Sequence, residues 1–149
     1  MIKIILAFLA VLALAGCATT SQYGNYLSPA SVDQQNWFAS EAVKQLAMRW
    51  PPAKTRLELK QATPDAFGIA LVKGLRESGY AIVEFSPNQT ESPYTTEANI
   101  LPLRYVLDQT KSDDANIYRL TLLVGAESLT RPYIEQNGSV IPGYWTHKE

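Results

Sequence analysis

The feature that most limits what this chain can fold into is its single cysteine, Cys17, set directly behind an apolar leader. Lys3 gives the leader a positive start, Ile4 to Leu14 is an unbroken apolar run, and Ala15 and Gly16 close it with small residues. That order is the layout of a secretory signal peptide. The run is too short for a transmembrane helix, which needs about 20 apolar residues. Export delivers the remainder to an oxidising compartment where disulfides can form, yet no second thiol exists to make one. Residues 17–149 have the size of one ordinary domain. Its stability must come from a packed core alone.

Leu14-Ala15-Gly16-Cys17 also has the form of a lipobox, and each position has a chemical task. The Cys17 thiol is the nucleophile that takes a diacylglyceryl group. Small Ala15 and Gly16 let a signal peptidase reach the Gly16–Cys17 bond, and Leu14 fills an apolar subsite. On this reading residues 1–16 are a lipoprotein signal peptide, and Cys17 becomes an N-terminus bearing palmitate-type chains. Each buried CH2 contributes about 0.8 kcal/mol, and one chain alone holds only marginally, so lipoproteins carry two or three. Ala18 stands where an aspartate would favour the inner membrane, which points to the outer membrane with the domain facing the periplasm. The net charge is −1 and no basic block exists, so direct nucleic-acid binding has little support.

Residues 17–30 read as a lipidated, flexible tether of small and polar residues with Gly24 and Pro29. Tyr23, Tyr26 and Leu27 interrupt it, either packing locally or forming a short docking segment. Residues 31–149 are then a single α+β domain, two helices packed on a mostly antiparallel sheet. Ser31 caps a helix whose face carries Phe38, Ala42, Val43, Leu46, Ala47 and Trp50, and Pro51-Pro52 stops it. Thr55 to Lys60 alternates as a strand. Thr63 as cap, Pro64 in the first turn and Gly79 past the end bracket a second helix over Phe67, Leu71 and Leu75. Residues 80–85 form the next strand, and 86–99 read as a mobile polar loop. Leu101 to Leu107 and Tyr118 to Val124 alternate as a hairpin around the charged turn 111–116. A last hairpin, 128–134 with 140–147, turns at Asn137-Gly138. Pro132 and Pro142 confine its strands to an edge or make them irregular.

Convergent catalytic groups are missing from this pattern. The one histidine, His147, lies near the C-terminus and reads as a solvent-exposed bystander. A metal site needs several clustered ligands, and only scattered carboxylates such as Asp113-Asp114 are present. No phosphate-binding glycine loop occurs. These observations predict no enzyme activity, no metal, no cofactor and no small-molecule substrate. Binding has better candidates: Arg131 and Tyr133 beside Pro132, then Tyr144 and Trp145. Arg, Tyr and Trp are enriched at interface hot spots. The competing reading is that these aromatics complete the core where the final hairpin folds over the helices.

Residues 16–24 (GCATTSQYG), 63–83 (TPDAFGIALVKGLRESGYAIV), 101–106 (LPLRYV), 119–133 (RLTLLVGAESLTRPY) and Gly143-Tyr144-Trp145 together resemble the TrbH family. These are lipoproteins of the mating-pair-formation system of conjugative plasmids. The resemblance implies a structural part of a type IV secretion apparatus, bound to other secretion-channel subunits in a multi-copy ring. It carries over one functional residue, the lipid-bearing Cys17. Two other classes remain open on the residues alone. One is an envelope lipoprotein that binds and regulates a cell-wall synthesis enzyme, and the other is an exclusion lipoprotein acting in the recipient cell.

Overall fold

The computed structural model describes residues 21–27, 31–88, 100–113 and 115–149. Cys17 and the rest of the leader lie outside these residues, as does most of the polar loop after residue 88.

Alternation builds the centre of the sheet. Strand β4 (Ile100–Ser112) pairs antiparallel with β5 (Ala115–Val124) from Leu103↔Val124 to Ser112↔Ala115. Leu103, Tyr105 and Leu107 share a buried face with Tyr118, Leu120, Leu122 and Val124, as a period of two requires. The strands run further into the charged segment than expected, leaving Asp113 in the turn at φ 49°. Strand β6 (Glu127–Gln136) pairs antiparallel with β5 and adds Leu129 and Tyr133 to the same face.

The Asn137-Gly138 turn forms as predicted, with φ of 53° and 74°, the double left-handed geometry that suits a tight hairpin. It leads into β7 (Ser139–Pro142), and the chain rejoins β6 as β8 (Thr146–Lys148). Between them, residues 143–145 leave the ladder beside Pro132, which has no N–H to donate. The Gly143 amide donates to the Pro132 carbonyl at 2.8 Å. Both predicted effects of proline are seen: irregularity opposite Pro132, and an edge position for Pro142, since β7 ends the sheet order. Strand β6 is not an edge, since β5 flanks one side and β7 and β8 the other.

Helix α1 (Val32–Arg49) starts at Ser31, whose hydroxyl accepts from the Gln34 amide at 3.1 Å. It buries Phe38, Ala39, Ala42, Val43 and Leu46 against the sheet. Helix α2 (Ala66–Glu77) corrects the expected start. Asp65, not Thr63, is the cap, accepting from the Gly68 amide at 3.0 Å, and Pro64 stays outside the helix. The reason is tertiary: the same carboxylate accepts from the Tyr105 hydroxyl at 2.7 Å. At the other end, the amide of Gly79 donates to Arg76 and that of Tyr80 to Leu75, the paired bonds of a Schellman cap. Strands β2 (Arg56–Leu59) and β3 (Ala81–Val83) run parallel on either side of α2 in sequence. The sheet order is β3-β2-β4-β5-β6-β7, with eight strands among the described residues.

The tether assignment changes in one respect. Gly24–Asn25 forms strand β1, parallel to β4 at Val106 and Leu107. Leu27 packs on the core and the Arg104 guanidinium lies 5.1 Å from the Tyr23 ring. Of the two readings of this segment, local packing is observed.

Packing is close where α2 meets β4. A Cβ on Gly68 would lie 2.5 Å from the Tyr105 hydroxyl and 2.8 Å from Thr63 Cβ. Gly68→Ala is therefore expected to cost about 1–3 kcal/mol through overpacking, read as a lowered urea midpoint. Buried phenols set a second limit. Burial raises Tyr80, Tyr118 and Tyr133 from 10.0 to about 12, and Tyr105 higher still. Folded-state values above unfolded ones mean that this stabilisation is intact below pH 10 and lost as pH rises toward 12. Denaturation midpoints should fall over that window together with the appearance of phenolate absorbance. All tyrosines ionising near pH 10 in a still-folded protein would contradict the packing.

Candidate functional site

The predicted binding residues meet at the interruption of the last hairpin. Arg131 follows Leu129 by two and precedes Tyr133 by two, so alternation turns it toward the helices. Its Nε donates to the Gly143 carbonyl at 2.8 Å and its Nη1 to Glu41 on α1 at 2.9 Å. The guanidinium lies over the Tyr133 ring at 5.4 Å and the Trp145 ring at 5.5 Å, geometry suited to cation–π attraction. The Glu41 carboxyl is held below its ordinary range by the Lys44 hydrogen bond first and by Arg131 in addition, against desolvation. Tyr133 is 0% exposed, with its ring 4.2 Å from Phe38 and 5.4 Å from Trp37. Arg131, Tyr133 and Trp145 thus close the core under the final hairpin, the competing reading of these residues. Tyr144 differs: it is 92% exposed.

His147 is not a free bystander. It lies 2.6 Å from Glu127 and 2.8 Å from Arg49, which itself pairs with Glu127 at 2.8 Å. The three tie β8 to β6 and to the last turn of α1. No group of three or more His, Cys, Asp or Glu able to hold a metal occurs among the described residues. On the outer face of the helices lies an open groove of about 590 Å³, bordered by Ser40, Lys44, Ile69, Lys73 and Glu77. On its rim, Lys73 pairs with Glu77 at 3.7 Å.

A second polar constellation was missed by sequence reasoning. Asn25 of β1 donates to Gln35 of α1 at 2.7 Å and to Asp65 at 2.9 Å, while the Phe67 amide donates to Gln35 at 3.3 Å. The only local signal was Asp65 in a capping position. Each of these three hydrogen bonds joins one part of the fold to another, which makes the cluster a fastening. No described helix is long and apolar enough to cross a membrane.

A family model described as conjugal transfer protein TrbH matches residues 20–149. The chain belongs to the TrbH family. The match spans all the described structure and makes this TrbH-family chain a conjugal transfer protein. No curated protein and no solved structure matches it. The Gly16–Cys17 bond lies before the matched TrbH region and outside the described residues.

The surface and core roles separate in one comparison. Arg131→Ala leaves Glu41 without its buried-side partner and the two rings without their cation. An expected loss of about 2–3 kcal/mol allows for the partial exposure of the pair. Tyr144→Ala should stay within about 0.5 kcal/mol of the parent. Guanidinium unfolding of the two variants measures both, and equal stability would contradict the contacts described.

Proposed function

We propose that this conjugal transfer protein acts as an outer-membrane lipoprotein, a structural part of the mating-pair-formation apparatus. Acyl chains on Cys17 fix it to the membrane, and the folded domain facing the periplasm binds neighbouring channel subunits in a multi-copy ring. The observation that carries the reading is TrbH-family membership over residues 20–149, joined to the position of the chain's one thiol in Leu14-Ala15-Gly16-Cys17. Support also comes from the side chains. The Arg131, Asp65 and Glu127 clusters each fasten elements together, as expected of a part that assembles and does not catalyse. Tyr144 is the contact residue we assign to a neighbour, because burying an exposed aromatic is a common source of interface energy.

Cys17→Ser tests the anchor. The expected result is loss of palmitate labelling, release of the domain from the outer-membrane fraction and a steep fall in transfer frequency from donor cells. Normal transfer by an expressed, unacylated protein would overturn the reading. Capture from mating cells in mild detergent tests the partner, with other secretion-channel subunits expected in one large complex. Recovery with a cell-wall synthase would favour a regulatory lipoprotein, and a phenotype confined to recipients would favour exclusion.

A further inference from the structure

Both helices pack on one face of the sheet, and no described element covers the other. On that open face the register aligns Ile117, Ile134 and Ile141 in a single cross-strand row. Ile134 is 42% and Ile141 60% exposed. Among the described residues, strand alternation also places Arg104, Arg119 and Lys148 on this face; Arg119 pairs with Asp108 at 2.6 Å, which leaves Arg104 and Lys148 as the excess cations. Isolated exposed isoleucines are ordinary. A row of them on an uncovered sheet with surplus cations needs an occupant.

The N-terminal segment says which one. Asn25 turns toward the helices to reach Gln35 and Asp65, so its neighbours Gly24 and Tyr26 lie on the open side. The Tyr26 hydroxyl donates to the Ser21 carbonyl, and Tyr23 lies against Arg104 of the open face. The chain therefore enters the domain from the open side. Cys17 precedes Ser21 by four residues, a reach of at most about 14 Å when fully extended. Acyl chains on Cys17 would hold that side within this distance of the headgroups. The helices lie roughly 10 Å further away, the usual thickness of a packed layer.

We infer that the open sheet face rests on the lipid bilayer. Ile134 and Ile141 meet the boundary between headgroups and acyl chains, and the basic side chains meet lipid phosphates. The helix layer then faces away from the membrane. Interfacial anchoring of this kind combines apolar burial with attraction of Lys and Arg to phosphates. The inference rests on acylation of Cys17, proposed above.

The test places photoreactive p-benzoylphenylalanine singly at positions 134 and 141 on the open face, and 48 and 69 on the helices. Met48 and Ile69 are also exposed, so all four sites should tolerate it. Each full-length chain is purified from membranes, checked by intact mass for its acyl groups and reconstituted into phosphatidylethanolamine–phosphatidylglycerol vesicles. Illumination should give lipid adducts at 134 and 141 in several-fold excess over 48 and 69. Equal yields at the four positions, or adducts at 141 to a second copy of the chain, would overturn the inference. Absence of acyl mass would sink the lipoprotein reading instead. Orientation is then read on chain starting at Cys17 and coupled through that thiol to a maleimide phospholipid, with the same two outcomes.

Discussion

Three elements meet at the carboxylate of Asp65, and a fourth joins them through Asn25. One oxygen accepts from the Gly68 amide and from Asn25, the other from the Tyr105 hydroxyl. Through Asn25 the network reaches Gln35, which also accepts from the Phe67 amide. Strand β1, both helices and the central strand β4 are thereby held to one anion. Hydrogen bonds to a charged acceptor are shorter and stronger than neutral ones, and in a low-dielectric interior each supports the next. The same arrangement makes its members costly to remove, because the partners left behind are at least half-buried. The close fit of Gly68 against Tyr105 follows from it, since the hydroxyl must come close to the first turn of α2 to reach the carboxylate.

What was legible in the sequence follows from how local each signal is. The β4–β5 hairpin announced itself by alternation over many residues, and Ser31, Gly79 and Asn137-Gly138 are caps and turns defined by their immediate neighbours. Strand β1 is two residues long and has no period to detect. The start of α2 was misplaced because Thr63-Pro64 satisfies local capping rules. Tyr105, forty residues away, decides the matter in favour of Asp65. Arg131 could have been placed from its spacing to Leu129 and Tyr133. Its charge argued for exposure, and the compensating Glu41 lies ninety residues earlier. The break at Gly143 was visible only as a proline in the facing strand.

Polar chemistry in this domain is spent on fastening. Arg131 closes the last hairpin over α1, Glu127 gathers His147 and Arg49, and Glu135 accepts from Asn116, Gln34 and Tyr118. A domain without disulfides needs such ties at its margins, where the apolar core ends. Tyr144 and the isoleucine row serve no internal purpose of this kind. That contrast between satisfied and unsatisfied groups is the structural reason for assigning function to surfaces.

Docking of residues 21–27 also changes the reach of the domain. A free tether over 17–30 would span roughly 20 Å on average and let the domain turn in any direction, by the scaling of flexible chains. With Asn25 fastened to Asp65, only the few residues between Cys17 and Ser21 would remain as linker. A linker of that contour length limits how far the domain could stand from its anchor. An anchor at Cys17 would thus hold the domain within a narrow range of heights above the membrane. A partner at that height would meet it at a high effective concentration, and one further from the membrane would not meet it at all. The small strand β1, two residues of backbone pairing and one asparagine, would convert the proposed lipid attachment into a position near the membrane.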